Sequence, residues 1–136
     1  MDGALFYAAD PHFAQGDGEV ALTAIEGSLR STYRLTVLKA GDPRLPMMTR
    51  MKNPFAETKD YWIPIGLNAS LDEAMKDATR QAVEFLNEKL GMDRATALAY
   101  LSAGTDFQVT QVVDRVKGVN AMIRKADFRG AGKPGK

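Results

Sequence analysis

The stretch from Ser70 to Leu90 is the feature of this 136-residue chain that most restricts its fold. Apolar residues recur there at steps of three and four, which places them in one stripe along a helix. A capping box, with Ser70 as N-cap and Glu73 at the third helical position, predicts the start, and Gly91 predicts the end. We therefore predict a helix over 70–90 that buries one face. The stripe consists of Leu71, Ala74, Met75, Ala78, Ala82, Phe85, Leu86 and Leu90.

A second helix follows directly, and strands are predicted on both sides of the pair. Asp93 is the expected N-cap of a helix over 94–103, with Ala97, Leu98 and Leu101 facing inward. Strands are predicted where short apolar or alternating runs are bounded by Gly, Pro or Asp. Strands, then two helices, then strands again predict an α+β fold with a mostly antiparallel sheet. The predicted strands are 4–9, 20–26, 28–40, 46–52, 60–66, 107–113 and 119–123.

The composition limits the class of protein. Lys and Arg together number 18 and Asp and Glu 17, so the formal charge is +1 and no basic excess points to nucleic acid or a membrane surface. No apolar run approaches the roughly 18 residues that would span a bilayer. The chain has no cysteine, which excludes disulfides, thiol nucleophiles and cysteine-ligated zinc and is typical of a reducing cytosol. We expect a cytoplasmic protein with neither a nucleic-acid nor a membrane partner.

The only histidine, His12, stands in a segment that is rich in other polar groups. Residues 9–20 read ADPHFAQGDGEV, which adds three carboxylates, two glycines and a glutamine. The segment lacks the Lys-Ser/Thr of a phosphate-binding loop and the acidic spacing of an EF-hand. Imidazole and carboxylate together suit zinc or another divalent ion, and the same groups without a metal suit general acid–base catalysis. An irregular surface turn around Asp17-Gly18, with no chemistry, is the alternative.

The same segment resembles the signature of a known family. DPHFAQGDGEV is similar to G-D-x-H-x-x-Q-G-D-G-E, the signature of the acetamidase/formamidase family, and further family segments resemble 23–26, 71–114 and 117–128. Ala9 stands where the family usually has Gly, and Asn120 stands where many members have His. The matching positions are Asp10, His12, Gln15, Gly16, Asp17, Gly18 and Glu19.

The resemblance implies hydrolysis of short linear amides, such as formamide and acetamide, to the acid and ammonia. Members of the family are longer, with a further half before the signature. Apart from 129–136, whose Gly-, Pro- and Lys-rich composition predicts a flexible tail, the resemblance implies that 1–128 corresponds to a C-terminal half. It also implies that the site needs a separate N-terminal-half chain or self-association into a homo-oligomer. The alternative is a non-catalytic truncated remnant, or an assembly subunit, of the same fold.

Roles for the polar residues follow from their chemistry and the resemblance. Asp10 and His12 are expected to contact a metal or the substrate, since positions i and i+2 of an extended segment point to the same side. Glu19 is the expected general base, and Asp17 is expected either to ligate or to hold the turn. Gln15 is expected to orient the substrate amide. A divalent metal such as zinc would polarise the carbonyl, whereas without one a carboxylate of raised pKa would activate the water; both mechanisms stay open.

Overall fold

The fold is known from a computed structural model, which describes residues 5–37, 39 and 53–130. Its elements are β1 (His12–Ala14), β2 (Ile25–Glu26), β3 (Phe55–Glu57), β4 (Tyr61–Asn68), α1 (Leu71–Leu90), α2 (Arg94–Gly104), β5 (Asp106–Gln111), β6 (Lys117–Arg124) and a final 3-10 turn (Lys125–Phe128). Strands β1 and β2 form a small antiparallel sheet, and the other four form an antiparallel sheet in the order β3-β4-β6-β5. The predicted α+β fold with two consecutive helices is confirmed.

Helix α1 packs against the four-stranded sheet through small residues. Ala74 and Ala78 are fully buried, and Gly66 of β4 lies against both of them. A side chain on Gly66 would collide with the backbone of α1, so the absence of a Cβ there lets helix and strand approach closely. Toward its other end α1 contributes larger side chains to the core. The main core cluster consists of Ala82, Phe85, Leu86, Ala97, Leu101, Ala121 and Ile123.

The ends of α1 lie where they were predicted, but the capping box is wrong. Ser70 occupies the N-cap position without a side-chain cap bond, and its own N–H donates to Asn68 Oδ1 at 3.0 Å. Glu73 is engaged elsewhere, because its carboxylate accepts from Lys76 Nζ at 2.6 Å. Gly91 ends the helix in the left-handed conformation, with φ of 67°. The apolar stripe and Gly91 therefore define α1 without the predicted cap.

The cap of α2 gives the first testable prediction. Asp93 Oδ1 accepts from the Thr96 N–H at 3.0 Å, and hydrogen bonds from the hydroxyl and N–H of Thr96 lower the pKa of the Asp93 carboxyl. We expect Asp93→Ala to lower the thermal midpoint by several degrees, and Ser70→Ala to leave it near the wild-type value. A depressed folded pKa contributes stability above the unfolded pKa and loses it as pH falls through the folded pKa. The difference between Asp93→Ala and wild type should therefore shrink in acid, as thermal unfolding at several pH values would show. Equal effects of the two substitutions would contradict this account.

The predicted strands of the larger sheet are confirmed, and those near the N-terminus are largely wrong. The runs 60–66, 107–113 and 119–123 correspond to β4, β5 and β6. Of the run 20–26 only Ile25–Glu26 pairs, and residues 5–9 and 28–37 form no strand. The run 46–52 lies outside the described residues, and β3 was not predicted. Alternation alone does not make a strand, because a strand also needs a neighbouring strand and a layer to pack on.

Three apolar residues predicted to face inward are exposed instead. Leu71 and Met75 lie at the start of α1, and Leu98 on α2 is 51% exposed. Single exposed apolar residues of this kind are ordinary on a protein surface. Within the described part of the chain, no helix has the length and hydropathy needed to cross a membrane.

Candidate metal and catalytic site

Pairing of the two N-terminal strands brings His12 opposite Glu26. The register of β1 and β2 pairs His12 with Glu26 and Ala14 with Ile25, with an irregularity between the two pairs. The Gly27 N–H donates to the Pro11 carbonyl at 3.1 Å and extends the contact beyond the strands. As a result, the Glu26 Oε2 atom lies 3.0 Å from His12 Nε2.

A second carboxylate reaches the same imidazole nitrogen. Asp10 has a φ of 56°, a left-handed conformation that Asp tolerates better than most residues, and its Oδ1 lies 3.2 Å from His12 Nε2. One donor atom each from Asp10, His12 and Glu26 lies within 4.8 Å of the others. The His12 side chain is 19% exposed, whereas those of Asp10 and Glu26 are 80% and 52% exposed. An imidazole nitrogen and two carboxylate oxygens form a donor set that suits a divalent cation, in an arrangement open to solvent.

The other nitrogen of His12 is held by Gln15. His12 Nδ1 lies 3.0 Å from Gln15 Oε1, and Gln15 Nε2 donates to the Thr110 carbonyl oxygen of β5 at 3.2 Å. Both imidazole nitrogens therefore have polar partners. The glutamine side chain connects the candidate site to the larger sheet.

These contacts raise the pKa of His12. The hydrogen bond to Gln15 is the largest cause, the negative charges of Glu26 and Asp10 act in the same direction, and partial burial opposes them. A protonated imidazole is thus favoured between the two carboxylates when no cation is bound. A cation at this place must displace the proton on Nε2, so its affinity is expected to increase with pH.

The loop after Gln15 forms backbone hydrogen bonds with β5 and with the residue that follows it. The Gly18 N–H donates to the Val109 carbonyl at 2.7 Å, and the Val112 N–H donates to the Gly18 carbonyl at 2.9 Å. Gly18 is buried with φ of 90°, a conformation that favours glycine. Asp17 and Glu19 flank this anchored residue. The loop is thereby an ordered part of the structure that lies against the sheet.

The structure brings some of the predicted site residues together and not others. His12 is in direct contact with both Asp10 and Gln15, as described above. Among the described residues, Asp17 and Glu19 are not members of the ligating group. Glu26 is the residue that sequence reasoning missed. The one signal that pointed to it was its place in TAIE, the segment at 23–26 that resembles the family, because its role depends on pairing between β1 and β2.

A cleft of about 300 Å³ opens beside the ligating group. Asp10, one of the two acidic residues in contact with His12, is among the residues that line this cleft. A molecule the size of a short amide fits in this volume with room for water. The lining residues are Ala8, Ala9, Asp10, Pro11, Leu29, Ser31 and Tyr33.

Comparisons with known proteins identify the family. The model of the acetamidase/formamidase family matches residues 1–124. The crystal structure of an acetamidase from Yersinia enterocolitica is similar, with a TM-score of 0.67 and 24% sequence identity over 86% of this chain and 33% of that chain. The chain thus corresponds to about a third of that acetamidase, and at this identity the likeness shows the fold. The comparison with curated proteins gives no significant match. Because the family model covers nearly the whole sequence, the chain belongs to the acetamidase/formamidase family.

Proposed function

We propose that this chain supplies the site for hydrolysis of the carbon–nitrogen bond in short linear amides, such as formamide and acetamide, to the acid and ammonia. Membership of the acetamidase/formamidase family is the observation that carries the proposal. The contact of His12 with two carboxylates, within the residues that match the family, supports it. The cleft beside Asp10 offers a place for a small substrate.

We propose that Asp10, His12 and Glu26 hold a divalent cation such as zinc. Such an ion, when bound, polarises a carbonyl and lowers the pKa of a coordinated water. The donor atoms fit the ion because one imidazole nitrogen and two carboxylate oxygens lie within 4.8 Å of one another, and both carboxylates are exposed to solvent. If no ion binds, the protonated His12 is the group that can donate to the leaving nitrogen, since its pKa is raised.

Glu19 is proposed as the general base that takes a proton from the attacking water. It directly follows Gly18, whose backbone bonds to Val109 of β5 and to Val112, just after that strand, fix the position of the loop. Asp17, on the other side of Gly18, is proposed as a further catalytic carboxylate or as the residue that holds the turn. Proton transfer by a positioned side chain contributes about 10²- to 10⁴-fold to the rate, so Glu19→Gln should lower turnover within that range.

The N-terminal segment, residues 5–37, carries many exposed large apolar side chains. Val37 is 84% exposed and Tyr7 is 78% exposed, and Phe6 and Tyr33 contact each other with ring centroids 5.7 Å apart. Apolar patches of this kind mark interaction surfaces. The exposed large apolar residues of this segment are Leu5, Phe6, Tyr7, Phe13, Val20, Leu22, Ile25, Leu29, Tyr33, Leu35 and Val37.

We propose that a second polypeptide covers this apolar segment and thereby completes the site. The partner is a further copy of the chain or a separate chain equivalent to the N-terminal half of the family. Covering the segment would also exclude water from His12, which would strengthen electrostatic interactions at the site.

Self-association is tested by light scattering on the purified chain. We expect a mass that is a multiple of 14.8 kDa, because association removes the apolar segment from water. Leu35→Asp, at a position 68% exposed in the segment, should shift the mass toward one chain. Leu98→Asp is the matched control, since Leu98 is 51% exposed but lies on α2. A mass of one chain for the wild type would contradict self-association and favour a separate partner.

The proposed activity is tested by ammonia release from formamide and acetamide. The wild-type chain is assayed with and without zinc, alone and mixed with the part of the Yersinia acetamidase that has no counterpart in this chain. We expect release that increases when the missing part or self-association completes the site. Absence of release under all these conditions would contradict the proposal.

Absence of ammonia release would favour a second candidate function, that of a non-catalytic remnant or assembly subunit of the same fold. The observation that favours this candidate is Asn120, which stands where many family members have His. Its side-chain Oδ1 is buried without a hydrogen-bond partner, as expected if the position has lost a polar interaction. Stable association together with no zinc binding and no turnover would distinguish this candidate from the enzyme.

A further inference from the structure

Gln15 joins the candidate site to the main sheet through a single side chain. Its amide group lies between two polar partners, His12 Nδ1 at 3.0 Å and the Thr110 carbonyl oxygen at 3.2 Å. His12 and Thr110 belong to different sheets, since His12 begins β1 and Thr110 lies in β5. The glutamine therefore sets the imidazole in relation to an element that the larger core holds in place.

The chemistry of these partners determines which way the amide faces. A backbone carbonyl can only accept hydrogen bonds, so the amide nitrogen of Gln15 must face Thr110. The amide oxygen must then face His12. An amide oxygen also only accepts, which requires that Nδ1 of His12 carry a proton.

The other side of the imidazole has the opposite preference. Two carboxylate oxygens, from Glu26 and Asp10, lie 3.0 and 3.2 Å from Nε2. In a neutral imidazole that is free of a cation, these carboxylates favour the proton on Nε2. Gln15 therefore favours the single proton of the neutral ring on Nδ1, whereas the two carboxylates favour it on Nε2.

We infer that Gln15 is a positioning residue that keeps a proton on His12 Nδ1 and thereby presents Nε2, with its lone pair, to the space between Asp10 and Glu26. Imidazoles that bind metals are commonly oriented in this way by an acceptor at the second nitrogen. The inference deepens the proposed function, on which its catalytic meaning rests. The hydrogen-bonding role itself is independent of any activity.

The experiment uses the fact that His12 is the only histidine, so each imidazole nitrogen gives one unambiguous NMR signal. Protein labelled with ¹⁵N-histidine is measured without metal, at a pH high enough to make the ring neutral. We expect the wild type to show more of the Nδ1–H tautomer than Gln15→Met. In that variant only Asp10 and Glu26 act on the ring, and Nε2–H should dominate.

Two further variants separate this role from a general effect on the fold. Gln15→Glu keeps an acceptor for Nδ1 and should restore the Nδ1–H tautomer. Gln108→Met, a matched change at an exposed position of β5, should leave the wild-type ratio unchanged. Equal tautomer ratios in the wild type and Gln15→Met, or a dominant Nε2–H form in the wild type, would overturn the inference.

A zinc titration of the same samples extends the test to the cation. Loss of an outer partner of a ligating histidine costs about 10- to 100-fold in metal affinity, and we expect this weakening in Gln15→Met and not in Gln108→Met. Unchanged affinity in Gln15→Met would count against the role toward a cation. Failure of ammonia release with the tautomer result intact would reject the proposed function and leave the positioning role standing.

Discussion

Replacement of Glu26 by glutamine is expected to weaken zinc binding by more than about 100-fold, because it removes a proposed ligand rather than an outer partner. Glu26 Oε2 lies 3.0 Å from His12 Nε2 and is one of the three converging donor atoms. Glutamine has nearly the same shape but no negative charge, so the loss would report the charge and not the packing. Isothermal titration of the purified variants with zinc measures the effect.

Glu19→Gln is the matched control for this experiment. Glu19 is in the same loop region but is not a member of the ligating group, so its substitution should leave zinc affinity within a few-fold of wild type. Turnover should fall in both variants, since Glu19→Gln removes the proposed general base and Glu26→Gln a proposed metal ligand, so zinc affinity is the property that distinguishes them. Strong loss of zinc affinity in Glu19→Gln, with none in Glu26→Gln, would contradict the assignment of Glu26.

Glu26→Gln should also change the pH dependence of the free energy of unfolding. The pKa of His12 is raised by Gln15, Glu26 and Asp10, so the folded state binds the proton more tightly than the unfolded chain. The stability that this contributes is fully present below the unfolded pKa of about 6.5 and is lost as pH rises through the folded pKa. In Glu26→Gln the folded pKa should be lower, so less stability is lost and the loss occurs at lower pH. An NMR titration of the single histidine and urea unfolding at several pH values would measure both.

Substitution of Gly66 by alanine is expected to lower the free energy of unfolding by about 3 kcal/mol or more, at the upper end of overpacking effects. The added Cβ would meet the carbonyl oxygen of Ala74 and the backbone nitrogen of Ala78, and would lie 2.9 Å from the Ala78 Cβ. Backbone of a packed helix cannot move aside as a flexible side chain can, so α1 would be forced away from β4. Denaturant unfolding measures the loss.

Gly16→Ala is the control for the Gly66 substitution. A Cβ on Gly16 would have no heavy atom within 4 Å, and its backbone is outside the left-handed region that favours glycine. We expect its stability to stay within about 0.5 kcal/mol of wild type, as for most surface substitutions. Similar losses for the two variants would show that the close contact of α1 and β4 is not the cause.

The elements that were predicted well are those whose signal is local. The stripe of α1 repeats over the whole helix, Gly91 ends it, and Asp93 caps α2 through a neighbouring residue. Three of the four strands of the larger sheet, β4, β5 and β6, also follow their apolar runs, because α1 and α2 cover one face and bury alternate residues such as Val119 and Ile123. In these places local preference and burial agree.

The N-terminal segment shows where sequence reasoning fails. Residues 28–37 alternate like a strand, yet side chains such as Val37 stay exposed, since in the described part of the chain no second layer covers them. Glu26 was not predicted as a site residue, because its contact with His12 arises from cross-strand pairing of β1 and β2. The predicted role of Gln15 toward the substrate stays a prediction, and its hydrogen bonds to His12 and Thr110 were not predicted. Such contacts depend on chain pairing that spacing alone does not reveal.

The most direct test of the account compares the wild-type chain with His12→Ala in ammonia release from formamide and acetamide, with zinc present and with the part of the Yersinia acetamidase that has no counterpart in this chain added to both. His12 contacts Asp10, Glu26 and Gln15, so replacing its imidazole removes all the side-chain contacts that join these residues at the site. The account predicts release by the wild type and its loss in His12→Ala, with the same far-UV circular dichroism in both proteins. Equal release by the two proteins would contradict the account and would place the chemistry outside this site.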